Sequence, residues 1–373
     1  MIKKYRLDLT ILIPLILLMT ISIISIAGAE KLVGVSEHYM LKQLMWYGIG
    51  FVTIYIVLFI GNKQLINNIW ILYIITNILL ALLLVFAKPI NNARCWFQIP
   101  GIGSFQPSEF MKIILILTLA RMINDFREKY NKPTYKEEFI FLLKVGLMVL
   151  IPSFLTFLEP DTGVVLIYLI ITFAMLFIAG IRYRWFLMIG AVFLIGLGSV
   201  LITYFFFPEL FIKIFGTSFF LRVDRLLDWS NKSGYQLENG LAAIGSGGLF
   251  GKGIFNTPVY FPEPQTDFIF AVYASNTGFV GCIFLIVLLI YFSVRLIFLA
   301  TNSNHNINKY IIAGILGMLI YQQFQNIGMT LGIMPITGIT LPFISYGGSS
   351  LLSYMLMMGI IFNIANEEKN TRN

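Results

Sequence analysis

Four short stretches of this 373-residue chain hold the side chains best suited to chemistry. The first is Phe105-Gln106-Pro107-Ser108-Glu109-Phe110-Met111-Lys112. Pro107 suits the first turn of a helix, and the i,i+3 spacing places Glu109 and Lys112 on one face. They could form a structural ion pair or handle a charged ligand. The second, Glu159-Pro160-Asp161-Thr162-Gly163, brings two carboxylates into a tight turn. These could coordinate a cation or accept hydrogen bonds from sugar hydroxyls, although Pro, Asp and Gly also serve the needs of a turn alone. The third, Tyr260-Phe261-Pro262-Glu263-Pro264-Gln265-Thr266-Asp267-Phe268-Ile269-Phe270, places Asp267 where a polar loop enters an apolar run. Burial beside Phe268 and Phe270 would raise its pKa and make it a better proton acceptor, whereas as a helix N-cap it would act only locally. The fourth runs from Met334 to Ser350 and is uncharged and rich in Pro, Gly and hydroxyls. Such backbone at membrane depth is tolerated where it is buried or lines a cavity, so Ser345 and Ser349 are candidates to line a substrate site, the alternative being a simple connecting loop.

The elements that must position these groups are apolar helices. The chain is 58% hydrophobic and 12% charged, about half the charge of an ordinary soluble domain. Its mean hydropathy is +0.84. Apolar segments lie near 9–28, 43–60, 66–87, 107–123, 139–158, 163–180, 185–207, 268–299, 310–331 and 349–365. About 20 residues cross a hydrocarbon core of about 30 Å. The fold class expected is therefore all-α: a polytopic integral membrane protein of about ten transmembrane helices, read as a single transmembrane domain over 1–373. Ten spans put both termini on one side. Lys3, Lys4, Arg6, the basic loop 121–144, Arg182, Arg184, Lys369 and Arg372 mark that side as cytoplasmic, while loops 159–163 and 332–348 lack Lys and Arg. The run from Leu9 to Ile26 exceeds the usual length of a signal-peptide apolar region, and it reads as a retained first span.

One long outer loop, 208–267, is expected. Within it Arg222, Asp224, Arg225 and Asp228 alternate with apolar residues at near-helical spacing, which suits an interfacial amphipathic helix. The glycine-rich stretch Gly245-Ser246-Gly247-Gly248-Leu249-Phe250-Gly251-Lys252-Gly253 follows, and it reads as a flexible turn suited to close backbone approach. The net charge of +8 sits in short loops, with no basic stripe of the kind that follows nucleic acid. Cys95 and Cys282 fall in a loop and a span and are not expected to pair. His38 and His305 fall in loops on opposite sides, which excludes a His/Cys metal cluster.

The four motifs and the glycine-rich stretch, in this order, resemble the SEDS family (shape, elongation, division and sporulation), whose branches include RodA, FtsW and SpoVE. The resemblance spans essentially the whole chain. Gly245–Gly253 and Leu341-Pro342-Phe343-Ile344-Ser345-Tyr346 look more like the RodA branch. The resemblance implies a ten-span peptidoglycan glycosyltransferase in the bacterial cytoplasmic membrane that polymerises lipid II at the outer face. It also implies a catalytic role for Asp267 and a functional one for the pair Glu109 and Lys112. A class B penicillin-binding protein, and other elongasome or divisome membrane proteins, are the implied partners. Two positions depart from the family pattern. Ala274-Ser275-Asn276-Thr277 stands where acidic residues are frequent, and Arg94-Cys95-Trp96 replaces an Arg-Arg-Trp.

On that reading the acceptor's GlcNAc 4-hydroxyl attacks C1 of the donor's MurNAc, and undecaprenyl diphosphate leaves. An α-linked donor and a β-linked polymer fit single displacement with inversion, with Asp267 as general base, by analogy with inverting glycosidases. Such a base contributes about 10²–10⁴-fold. Arg94, Lys112, Arg222, Arg225 or Lys252 could stabilise the leaving diphosphate, as could a divalent cation such as Mg or Mn. A lipid II flippase would need polar groups nearer the midplane, and a non-catalytic scaffold for a partner synthase would not need Asp267.

Overall fold

The computed structural model describes residues 7–34, 38–89, 93–99, 103–217, 219–220, 223 and 234–372. Ten long helices match the ten apolar segments one to one: α1 (Leu9–Val33), α2 (Tyr39–Ile60), α4 (Ile69–Phe86), α5 (Pro107–Lys129), α6 (Tyr135–Leu158), α7 (Thr162–Ile178), α8 (Tyr183–Phe206), α11 (Ile269–Asn302), α12 (Asn306–Thr330) and α13 (Gly348–Arg372). Shorter helices are α3 (Asn62–Asn67), α9 (Pro208–Phe215) and α10 (Tyr235–Ser246). A small antiparallel hairpin of β1 (Phe97–Ile99) and β2 (Gly103–Phe105) precedes α5. Seven of the ten long helices are, by length and composition, long and apolar enough to cross a membrane. The chain is an all-α, multi-pass membrane protein.

The three that fall short are α5, α7 and α12. α7 is apolar but has only 17 residues, whereas α5 and α12 carry polar side chains and pack against each other and against α7, so their buried faces need not match lipid. In α12, Gln322, Gln325 and Asn326 are buried and hydrogen-bonded: Gln322 Nε2 donates to Tyr354 OH at 2.9 Å and Gln325 Nε2 to Pro335 O at 2.7 Å. α13 packs along α2 at close range. A Cβ added at Gly50 would lie 2.5 Å from Met355 Cγ, and one at Gly359 would lie 2.6 Å from Val57 Cβ. Small residues at such contacts let helix backbones approach in lipid.

Local signals set the helix ends. Asp8 caps α1 by accepting from Thr10 N–H at 2.9 Å, and Gly34 ends it at φ 68°. Thr134 and Glu137 form a reciprocal capping box at the start of α6. Basic side chains at the end of the bundle that carries the termini are spent on backbone carbonyls. Arg121 donates to Ile66 O at 2.8 Å, Arg127 to Ala179 O at 2.8 Å and Arg182 to Pro133 O at 2.6 Å.

The longest helix is broken. α11 leaves helical geometry at Gly278 (φ 68°, ψ −166°). The backbone groups freed there are taken by the glycine-rich stretch. Lys252 N–H donates to Ser275 O at 2.9 Å and Gly253 N–H to Asn276 O at 3.2 Å, while Phe279 N–H donates to Gly248 O at 2.9 Å and Val280 N–H to Leu249 O at 3.1 Å. Only glycine allows this approach: a Cβ on Gly251 would stand 2.1 Å from Asn276 O. The expected flexible turn is thus a fitted wedge, which keeps backbone polar groups satisfied inside an apolar bundle.

Within 208–267, α9 packs Phe211 against Tyr204 of α8 (ring centroids 5.6 Å apart). Most of the amphipathic segment expected around 219–229 lies outside the described residues. Cys95 and Cys282 are both free.

Candidate active site

The loop between α12 and α13 gathers the motifs at the end of the bundle opposite the termini. Its turn Leu341–Tyr346 is fastened from below, where Ser22 Oγ donates to Ile344 O at 2.8 Å, Gln43 Nε2 donates to Ser345 O at 3.3 Å and Tyr47 OH donates to Phe343 O. From above, Ser345 Oγ donates to Thr266 O at 2.7 Å, and Tyr346 N–H donates to Gln265 O at 2.9 Å. The buried amide of Asn326 joins the same assembly, donating to Asp267 O at 2.9 Å and to Ile339 O at 2.8 Å. The main chain at Asp267 is therefore held by α12, while Ser345 and Tyr346 hold the two residues before it.

The side chain of Asp267 is half-buried. It is not the N-cap of α11: that helix starts at Ile269, with Phe268 as its cap residue and no capping side chain. Only Phe268 separates Asp267 from the first turn, and the Asp267 carboxylate does not cap it. Burial, followed by the negative charges of Glu263 and Asp161, pushes its pKa up to about 7. Glu263 takes a left-handed conformation (φ 52°), and its carbonyl accepts from the N–H groups of Thr266 and Phe268 at 3.4 and 3.3 Å. The loop thus curls back to place Glu263 near Asp267.

The other two motifs join this assembly. Asp161 caps α7 by accepting from Val164 N–H at 3.1 Å, and its second oxygen accepts from Gln106 Nε2 at 2.9 Å. Burial is the largest influence on Asp161 and raises its pKa to about 6; the Val164 hydrogen bond opposes this. Ser349 Oγ accepts from Gln106 N–H at 3.0 Å and donates to Ser104 O at 3.0 Å, tying α13 to the hairpin and to α5. One turn into α5, Lys112 Nζ lies 2.7 Å from Glu109 Oε2, and both side chains are almost fully buried. Lys112 also faces the Tyr354 ring, 5.2 Å from its centroid.

Glu109, Lys112, Asp161, Asp267, Ser345 and Ser349 therefore share one end of the bundle. The remaining candidates stand apart from this assembly. Arg94 is exposed and donates to Leu84 O at 2.9 Å, where it serves the C-terminus of α4. Lys252 is exposed beside the break in α11. Glu159 is fully buried, its carboxylate without a hydrogen-bond partner, and its pKa rises to about 8 through burial and the charge of Asp161. Arg222 and Arg225 lie outside the described residues. Among the described residues, no group of three or more His, Cys, Asp or Glu side chains is arranged to hold a metal ion.

Sequence reasoning missed Asn326, Gln43 and Tyr47. A polar amide inside an apolar span was the available signal for the first two, since such groups are costly in lipid unless they have work to do. Gln106 stood inside a motif but went unassigned; its two contacts depend on chain folding.

The fold and site define a multi-pass membrane protein with a carboxylate-bearing assembly of loops at one end. Residues 3–370 match the model of the FtsW/RodA/SpoVE family, described as cell cycle proteins. The chain belongs to that family. It is 35% identical to a probable peptidoglycan glycosyltransferase FtsW of Coxiella burnetii, over 97% of each chain. It is also 35% identical to the peptidoglycan glycosyltransferase MrdB of Helicobacter pylori, covering 87% of this chain and 82% of that one. Among solved structures, it resembles the Thermus thermophilus rod shape determining protein RodA with a TM-score of 0.70 and 27% identity, over 98% of each chain. It also resembles a chain from a structure concerned with the coordination of polymerization and crosslinking by a peptidoglycan synthase complex, with a TM-score of 0.77 and 27% identity, over 97% of this chain and 98% of that one.

Proposed function

We propose that this protein is a peptidoglycan glycosyltransferase that polymerises lipid II at the outer face of the bacterial cytoplasmic membrane, with both termini inside. Asp267 is the general base. The observation that carries this reading is the half-buried Asp267 carboxylate, with a pKa near 7, at the end of the bundle where the motif loops meet. A base poised near the working pH is about half ionised and still accepts a proton well. It takes the proton of the acceptor's 4-hydroxyl as the oxygen attacks C1 of the donor, and undecaprenyl diphosphate departs from the opposite face. No second carboxylate has to form a covalent intermediate in such an inverting transfer. Asp161, held by Gln106, presents a further acceptor for sugar hydroxyls.

The diphosphate leaves as an anion and needs positive charge. Arg222 and Arg225 supply it in this reading, with a divalent cation, Mg or Mn, as an aid. Lys112 acts on the site through its ion pair with Glu109, from within the bundle. The name of the peptidoglycan synthase complex supports a working partner of the class B penicillin-binding type. The relatives carry division and MrdB names alike, so the elongation, RodA-like assignment rests on Gly245–Gly253 and Leu341–Tyr346.

The test uses the purified full chain in liposomes with labelled lipid II and its partner transpeptidase, with and without EDTA. Glycan ladders that vanish in Asp267→Asn, in protein of unchanged thermal stability, are the expected result. Ladders persisting in Asp267→Asn overturn the assignment of the base. Lipid II translocation without ladders overturns the polymerase.

A further inference from the structure

At the end of the bundle that carries the termini, a groove of about 340 Å³ lies between the start of α4, the end of α5 and the start of α6. Its floor is aromatic: Phe126 and Phe141 are buried and stacked, with ring centroids 4.2 Å apart. Trp70 and Tyr130 also line it, and its basic lining residues are Lys129 and Lys144. The surfaces beside it belong to lipid, since Ile71 and Ile74 of α4 and Leu143 and Leu147 of α6 are apolar and exposed.

Lys144 finds no counter-charge within the fold. It is the tenth residue of α6, about 14 Å along the axis from the helix start, and it is exposed. A cation at that depth in a spanning helix is costly unless it is paired or reaches the interface. The acids of the groove are committed elsewhere. Asp125 Oδ2 lies 3.8 Å from Arg121 Nε, and Glu137 Oε2 accepts from the N–H and Oγ1 of Thr134 at 2.7 and 2.8 Å. Lys129 is exposed as well, with its Nζ 5.2 Å from the centroid of the Tyr130 ring and near enough to Glu137 to feel its charge. The indole N–H of Trp70 and the hydroxyl of Tyr130 have no hydrogen-bond partner among the described residues.

The groove therefore offers two ammonium groups and two neutral donors on the rim of an apolar slot that opens to lipid. Trp and Tyr favour the membrane interface, and basic pockets between spanning helices at that level suit anionic lipid heads. A lysine side chain snorkels toward the same level, so Lys144 can meet a phosphate from the bilayer side. We infer that this groove binds an anionic glycerophospholipid of the adjoining leaflet. Lys144 and Lys129 hold its phosphate, Trp70 and Tyr130 donate to its head, and an acyl chain follows the apolar faces of α4 and α6. A zwitterionic lipid brings its own cation beside the phosphate and gains less from the lysines. A lipid seated there touches α4, α5 and α6 at once and braces that end of the bundle. The groove lies at the far end of α5 from Glu109 and Lys112, so the inference does not depend on the polymerase reading.

The probe is phosphatidylglycerol, titrated into the purified full chain in detergent and read by native mass spectrometry and by thermal unfolding. A lysine near an anionic head adds about fivefold to affinity, so Lys129→Gln and Lys144→Gln should each weaken binding about fivefold and the double variant about 25-fold. Trp70→Phe, which keeps an aromatic ring and deletes the N–H, should weaken it about fivefold. Lys144→Arg should retain binding, and so should Lys136→Gln, an exposed lysine outside the groove. Phosphatidylglycerol should raise the Tm of the wild type and leave that of the double variant unmoved. Without lipid the two should unfold together, which separates loss of the site from loss of the fold. Equal binding of phosphatidylcholine overturns the inference, as does unchanged phosphatidylglycerol binding in the double variant and in Trp70→Phe. An equal loss in Lys136→Gln overturns it by showing a diffuse basic surface. Undecaprenyl diphosphate displacing phosphatidylglycerol at much lower concentration overturns it in favour of a substrate lipid.

Discussion

Alanine substituted at single glycines around the break in α11 should give a graded loss of stability set by geometry. Gly245 lies in α10 with open space where a Cβ would go, so Gly245→Ala should be neutral or stabilising by up to about 1 kcal/mol through helix propensity. Gly248 is equally open but sits at φ 55°, and a left-handed alanine there costs about 1–2 kcal/mol. Gly247 has ordinary helical φ, yet its Cβ would meet Ala274 O at 2.3 Å. Gly251 combines both faults, with φ 83° and a Cβ 2.1 Å from Asn276 O. Backbone cannot yield as a flexible side chain can, so the wedge must lift from α11. Losing two of its four hydrogen bonds costs about 2 kcal/mol at about 1 kcal/mol each, and the left-handed conformation brings Gly251→Ala to about 3–4 kcal/mol. Thermal unfolding of the purified variants in one detergent should rank them Gly245, Gly248, Gly247, Gly251 in order of increasing damage. A Gly248→Ala variant as unstable as Gly251→Ala, or a Gly251→Ala variant that unfolds with the wild type, would refute the wedge.

Other outcomes follow from the site. Polymerisation should rise with pH through about 7 as Asp267 loses its proton, and Glu263→Gln, by removing a neighbouring negative charge, should move that limb to lower pH in a pH–rate profile. Glu109→Gln or Lys112→Met alone strands a buried charge and should cost about 3–5 kcal/mol in thermal or denaturant unfolding, whereas the double variant should recover much of that loss. Glu159, whose folded pKa of about 8 exceeds the unfolded 4.5, is held protonated by burial. Its contribution is intact below the unfolded value and is lost as pH rises toward the folded one, so Glu159→Gln should stabilise the protein more at pH 8 than at pH 5. Asn326→Leu removes the donor to Asp267 O and Ile339 O and should lower kcat while lipid II binding in nanodiscs persists.

The ten helices could be read from the sequence because each apolar run answers to bilayer thickness, a constraint on composition and length that needs no partner. Pro107 at the start of α5 and the Glu109–Lys112 pair could be read for the same reason, since they depend on spacing within one helix. The common setting of Glu109, Asp161 and Asp267 was legible in part, as residues at span ends that alternation places at one end of the bundle. Tertiary structure alone decided which groups are free to act there. Ser345 is spent on Thr266 O, 79 residues away in sequence, Arg94 on Leu84 O at the end of α4, and Glu159 is sealed from solvent, because chain folding occupies their hydrogen-bonding directions or covers them. It also decided that α11 breaks at Gly278. The sequence marks a glycine inside an apolar run, but whether helix continues depends on Gly247 and Gly251 bringing another backbone close enough to satisfy the groups that the break exposes.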